Sequence, residues 1–165
     1  MILSVYALAT KRQLGFEVAY YWGLAAASQA LITPDPTPWT KELHVFWNFI
    51  SHGAVVLNVL WLAVVEEMRC RRGSWLKVFG ITNLVLPPIA LINWAVGANY
   101  FFLMEKPLGS SPFLRGDWPW YLFWFELLAL AFFLLSYVPM WWSGRDRREL
   151  PGRASEREGV ISTPG

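Results

Sequence analysis

His52 and Glu126 are ionisable side chains set inside long apolar runs, which makes them the first candidates for chemistry in this chain. A group that ionises within hydrocarbon is costly, and it is retained where it pairs, lines a polar path or reacts. Imidazole exchanges protons near neutral pH, so His52 suits general acid–base work. Glu126 suits pairing with His52 or accepting hydrogen bonds from Tyr or Trp. Glu17 lies five residues beyond Arg12 and reads as an interfacial group. The amides Gln29, Asn48, Asn58, Asn83, Asn93 and Asn99 complete the polar set. Each of them serves equally well as glue between helices, worth about 0.6 kcal/mol.

Depth groups some of these residues. At 1.5 Å of helical rise per residue, His52 lies roughly 13 Å below the outer start of its segment and Glu126 roughly 12 Å below Trp118. Asn93, about ten residues below the expected outer end of its segment, lies roughly 15 Å down. Gln29 and Asn99 sit nearer the outer surface, and Asn48 shares a helix face with His52 at a spacing of four. A polar cavity opening outward and lined by His52, Asn48, Asn93, Asn99, Glu126 and Gln29 is the expectation. Within it, Asn48, Asn93 or Asn99 would stabilise an oxyanion. No metal site is expected, because His44 and His52 lack a familiar ligand spacing, and no cofactor is implied. Cys70 stands in Arg69-Cys70-Arg71-Arg72, where basic flanks favour a lowered thiol pKa, although an inert loop cysteine accounts for it equally simply.

The elements that must carry these residues are helices in a membrane. The chain has 165 residues, 55% of them hydrophobic and only 16% charged, against about 25% charged in a soluble domain. Four segments are almost free of charge: Leu14–Ile32, Leu43–Val65, Val78–Met104 and Trp118–Trp142. Each reaches the roughly 20 residues that cross about 30 Å of hydrocarbon, and lipid leaves backbone polar groups no partner except within helices. The expected fold is therefore all-α, a polytopic bundle of four transmembrane helices spanning residues 11–142. Residues 1–10 form an N-terminal helix stub that resembles the end of an earlier helix or an interfacial segment. Residues 143–165 read as a disordered cytoplasmic tail. Thr33–Pro38 and Gly109–Pro112 read as turns, and Pro87-Pro88 should kink the third span.

Charge sets the orientation. With the N-terminus inside, one side holds Lys11, Arg12, Arg69, Arg71, Arg72, Lys77, Arg145, Arg147, Arg148, Arg153 and Arg157, and the other holds Lys41, Lys106 and Arg115. Eleven against three places both termini in the cytoplasm of a plasma membrane. The net charge of +2, with basic residues confined to hydrophobic boundaries, argues against nucleic acid as a partner. Membrane lipids are the expected partners, with a helix-bundle oligomer as a further possibility. A single cysteine rules out an internal disulfide.

Several motifs resemble those of the YwaF-like bacterial integral membrane proteins. They are Gln29–Pro34, Phe49-Ile50-Ser51-His52-Gly53, Asn93–Tyr100 and, most specifically, Asn99–Pro107 followed by Trp118-Pro119-Trp120-Tyr121. In this order they cover about residues 14–140. Members of that family are longer, with further helices upstream. The family is similar to eukaryotic transmembrane protein 164, a phospholipid acyltransferase that uses a Cys and a His. The resemblance implies that His52 is the histidine, and it puts the cysteine on an upstream helix. Two function classes follow: a lipid acyltransferase or a fragment of one, and a non-catalytic transporter-like protein or helix-bundle subunit using the same polar layer. A cysteine at the depth of His52 discriminates between them.

Overall fold

The computed structural model describes residues 1–32, 42–107 and 115–146; the side chains at 42–44, His44 among them, and at 143–146 are outside that set. The expected turns at Thr33–Pro38 and Gly109–Pro112 and the expected disordered tail beyond 146 fall outside the described residues. Every regular element among the described residues is helical. They run α1 (Ile2–Thr10), α2 (Gln13–Trp22), a π-helical turn (Gly23–Ala27), α3 (Ser28–Ile32), α4 (Glu42–Val64), α5 (Ser74–Val96), a 3-10 turn (Tyr100–Phe102) and α6 (Trp120–Asp146).

Three helices are long and apolar enough to cross a membrane, over Val45–Val64, Ser74–Val96 and Trp120–Trp142. Only 6–11% of the residues in these windows are buried, which leaves their apolar side chains facing outward as lipid-facing helices require. The first expected span is also helical from Gln13 to Ile32, but it changes its winding at the π turn. The third helix departs from expectation at both ends. It starts at Ser74 rather than Val78, and it stops at Val96 rather than Met104. Gly97 takes the left-handed conformation, φ 66°, and the Ala98 N–H returns to the Asn93 carbonyl at 3.0 Å, a glycine-terminated helix end. Hydropathy continues unbroken through Tyr100–Met104, which hides this stop from a composition reading. Within α5 the helix runs on through Pro87 and Pro88, leaving the Asn83 and Leu84 carbonyls without their helical N–H partners.

The core sits around α2. Phe16, Val18, Ala19, Tyr20 and Tyr21 are buried there, against Ala7 of α1, Val59 and Leu62 of α4, Val78 of α5 and Phe133 of α6. Burying each large apolar side chain contributes about 1.5–3 kcal/mol. The short α1 is part of this packing, with Ser4 and Ala7 buried.

Polar groups fasten the loop after α4 to this core. Glu17 is 1% exposed; it accepts from Gln13 Nε2 at 2.8 Å and from the Arg71 N–H at 3.1 Å. Gln13 Nε2 also donates to the Arg69 carbonyl at 2.8 Å. Tyr21 Oη and Ser74 Oγ share a hydrogen bond of 2.7 Å. Glu17 is thus a buried anchor for residues 69–71, where the sequence suggested an interfacial group. Cys70 is buried beside it. Loss of solvent pushes its thiol up to about 12, the Glu17 charge adds to the rise, and hydrogen bonds from Tyr21 and Ser74 oppose it without offsetting it. Burial overrides the basic flanks that favoured a reactive thiolate, so Cys70 is an inert core thiol.

Candidate functional site

His52 lies on α4 one turn after Asn48, and its Nδ1 stands 2.9 Å from the Asn48 carbonyl. A carbonyl only accepts, so Nδ1 is the donor of this pair, and Nε2 is the nitrogen left to exchange a proton. Ser51 Oγ donates to the same carbonyl at 3.1 Å. The Asn48 side chain looks the other way, its Nδ2 donating to the Ala30 carbonyl of α3 at 3.2 Å. Asn48 therefore acts on His52 through its backbone, fixing the tautomer, while its amide ties α4 to α3.

His52 lines a cavity of about 270 Å³ between α1, α2, the π turn and α4. Ser4, Trp22, Ala27, Val55 and Phe101 are among the residues that share it. Ser4 is 2% exposed and donates from Oγ to the Met1 carbonyl at 2.8 Å. The remainder of the lining is predominantly apolar, so the cavity is a hydrophobic groove with an imidazole in its wall.

Two departures from regular backbone converge on this groove. The first is the π turn, which contributes Gly23, Ala26 and Ala27 to its wall. π-helical turns widen a helix and are frequent at functional sites. Small side chains are required here because the turn lies hard against α4. A Cβ on Gly23 would stand 3.0 Å from Val59 Cγ2 and 3.3 Å from Val55 Cγ1. The second departure is the 3-10 turn, where Phe101 and Phe102 hold φ of 58° and 52°. Left-handed backbone costs a bulky side chain about 1–3 kcal/mol. That strain delivers the Phe101 ring into the groove, 5.8 Å from the Trp22 ring and edge-on to it.

Asn93 and Asn99 hold the strained turn in place. Asn93, 1% exposed, donates from Nδ2 to the Tyr100 carbonyl and accepts the Tyr100 N–H on Oδ1, both at 2.9 Å. Asn99 donates to the Glu105 carbonyl at 2.8 Å and accepts the N–H groups of Met104 and Glu105 at 3.0 and 3.2 Å. Tyr121 Oη donates to the Phe102 carbonyl at 2.7 Å, and Trp118 Nε1 donates to the Leu103 carbonyl at 3.2 Å.

The six residues expected to share one cavity are thereby sorted. His52 lines the groove. Asn48 supports it through its carbonyl. Asn93 and Asn99 stand in the last turn of α5 and beyond it, bonded to backbone, and they line a separate depression of about 280 Å³ with Trp94 and Glu105. Their amide N–H groups donate to backbone carbonyls, as does that of Asn48, so these amides serve the backbone rather than aiming donors into the His52 groove. Glu126 belongs to α6 and accepts from Asn83 Nδ2 at 3.1 Å; Asn83 also donates to the Phe79 carbonyl at 3.1 Å. Glu126 is absent from the lining of the His52 groove. Gln29 is half-buried on α3, also outside that lining. The depth inferred for Asn93 assumed that α5 continued to Met104; with α5 ending at Val96, Asn93 stands in its last turn and leaves the layer, while His52 and Glu126 are parted by the faces they take.

Ser4, Trp22 and Phe101 were not singled out from sequence. Trp22 and Phe101 are hidden among other aromatics, and the Gly97 that bends the chain back toward Trp22 was the available signal. The Trp22 indole is fixed by donating to Thr82 Oγ1 at 2.9 Å, and Thr82 in turn donates to the Val78 carbonyl at 2.9 Å. Among the described residues, no group of three or more His, Cys, Asp or Glu side chains is placed to hold a metal ion.

Comparison with known proteins agrees with this membrane architecture and with the resemblance in the motifs. An uncharacterised protein of Treponema pallidum (strain Nichols) is 29% identical over 146 residues, covering 86% of this chain and 58% of its own length. The chain thus spans little more than half of that relative. No solved structure matches it. The profile of the TMEM164 family matches residues 1–137, from α1 through most of α6. The chain is a multi-helix membrane protein, and it belongs to the TMEM164 family.

Proposed function

We propose that this protein transfers an acyl chain between membrane phospholipids, with His52 as the general base. The observation that carries the reading is the orientation of the imidazole: Nδ1 is committed to the Asn48 carbonyl at 2.9 Å, and the ring lines a predominantly apolar groove. A base with its proton-bearing nitrogen fixed is oriented for proton transfer at the other nitrogen. Nε2 would take the proton of the acceptor lysolipid's hydroxyl as it adds to the donor's ester carbonyl, then give it to the alcohol of the lysolipid that leaves. Where a thiol attacks first, the same two proton transfers are repeated as the acceptor hydroxyl displaces the thiol from the thioester and restores it. Met1 and Leu3 line the groove.

The proposal includes the setting. Four crossings of the plasma membrane, with both termini cytoplasmic, fit eleven basic residues on one side and three on the other. The segment from Gln13 to Ile32 then crosses as the fourth helical span, bent around its π turn. The ester-bearing lipid reaches the groove from within the bilayer, and a helix-bundle oligomer is compatible with the apolar outer faces.

The test uses the intact protein in vesicles holding a phospholipid with an isotopically labelled acyl chain and an unlabelled lysophospholipid acceptor. Label on the acceptor, dependent on the protein, supports the proposal. Its absence at all protein concentrations removes acyl transfer and leaves the non-catalytic helix-bundle reading.

A further inference from the structure

The strained Tyr100–Phe102 turn has a purpose beyond closing a loop. Two consecutive phenylalanines hold left-handed backbone, and Asn93, Asn99 and Tyr121 hold the segment with side-chain hydrogen bonds. Such strain persists only where the surroundings over-determine it, and it gathers at ligand sites. Here the ring it delivers enters the His52 groove and meets Trp22 edge-on. Phe102 is turned the other way, stacking on Phe125 of α6 at 6.5 Å, so the two rings wedge the turn between α2 and α6.

We infer that the groove is a fatty-acyl binding site and that Phe101 sets the length of chain it accepts. The inference rests on the acyl-transfer reading for the identity of the ligand. Its own grounds are the lining: Ala19, Gly23, Ala26 and Ala27 form a wall of small side chains along α2 and the π turn, and Val55 faces them from α4. Small residues leave room for a methylene chain, and the Trp22–Phe101 pair is the bulk that limits it. His52 is the polar group positioned for an ester at the end of that chain. A cavity of about 270 Å³ is below the roughly 300–1,000 Å³ of sites that enclose a whole drug-sized ligand. It therefore holds part of one acyl chain while the rest of the phospholipid stays in the bilayer. Trp22 is held through Thr82 and Phe101 by its clamped turn, so the two rings give the groove a fixed end. Phe101 acts as a specificity-determining residue.

Binding is read without catalysis, using vesicles that contain phosphatidylcholines of graded chain length with a diazirine at the chain end. Photo-crosslinks should map to the peptide spanning Trp22–Ala27 and to that spanning Phe101. Phe101→Gly removes the ring and also relieves the left-handed strain, so it tests the wall without adding backbone strain. It should move the preferred chain toward greater length, read as a rise in labelling by the longer-chain probes relative to the shorter ones when compared with the wild type. Phe101→Leu, which keeps apolar bulk in the groove, should shift the preference less, and Phe123→Ala on the exposed face of α6 should not shift it. An unchanged chain-length profile in Phe101→Gly, or the same shift from Phe123→Ala, overturns the inference. Transfer of labelled chains with no change in profile would sink this inference while leaving acyl transfer standing. A shifted binding profile with no transfer would sink the catalytic reading and leave the acyl site.

Discussion

Removing the Asn93 side chain should loosen the turn that carries Phe101 while leaving the rest of the bundle folded. Asn93→Ala deletes both hydrogen bonds to Tyr100, each 2.9 Å long. Asn93 itself is 1% exposed, so its partners lose bonds that water does not readily replace. Two bonds at a net ~0.5–1.5 kcal/mol each give about 1–3 kcal/mol, with the upper end favoured because the Tyr100 N–H and carbonyl lose their partners. That energy acts on local opening of the turn, which already contains the strain at Phe101 and Phe102. Hydrogen exchange followed by mass spectrometry on peptides covering residues 97–105 reads it directly. Exchange should accelerate by about 5- to 150-fold, the equivalent of that energy at roughly tenfold per 1.4 kcal/mol. Peptides from α2 and the 66–72 loop should keep their wild-type protection. Unchanged exchange at 97–105 would refute the clamp, and a general loss of protection would show that Asn93 supports the whole bundle.

Other perturbations reach different parts of the structure. Gly23→Ala should destabilise the bundle by about 1–3 kcal/mol, as overpacking does, because the new methyl group meets Val59 at 3.0 Å; thermal unfolding of the purified protein measures this, and an unchanged midpoint argues against the close approach of the π turn to α4. Cys70, pushed up to about 12 from the ordinary 9.0 by burial, should react slowly with a thiol reagent in the folded protein. Its rate should keep climbing above pH 9, whereas a solvated thiol levels off there; fast labelling at neutral pH would contradict its burial. A phosphatase fused after Ser110 should be active outside the cell and one fused after Gly73 inactive, and the reverse pattern would overturn the cytoplasmic placement of the termini. 

Much of the helical architecture could be read from composition, because apolar runs of 20 residues have few alternatives to a membrane helix. The three spanning helices overlap the expected segments, the middle one shifted to start at Ser74 and end at Val96, and the TMEM164 family matches the relationship suggested by the motifs around His52 and Asn99. The site was less legible. Hydropathy does not distinguish a helix from an apolar 3-10 turn that follows it, so Gly97 was passed over and Asn93 was placed too deep. Depth along a helix also carries no information about which face a side chain takes. Glu126 turns to Asn83 and His52 to the groove for that reason. Glu17 and Cys70 show a related limit: Arg12 near Glu17 and the arginines flanking Cys70 suggested an interface, but in space Glu17 meets Gln13 and the Arg71 N–H, and Cys70 meets Tyr21 and Ser74. The π turn had only its small residues, Gly23 and Ala25–Ala27, as a mark, and these also suit an ordinary helix.

A base at His52 makes acyl transfer in the membrane depend on one imidazole. The most direct test of this dependence compares His52→Ala with Asn58→Ala in the intact protein, reading labelled acyl chain moved from phospholipid to lysophospholipid in vesicles, with insertion and thermal stability measured in parallel. His52→Ala should abolish transfer while the protein inserts and unfolds as the wild type does, and Asn58→Ala, outside the groove lining, should transfer at close to the wild-type rate. Transfer that survives in His52→Ala would contradict the claim, as would equal loss in both variants.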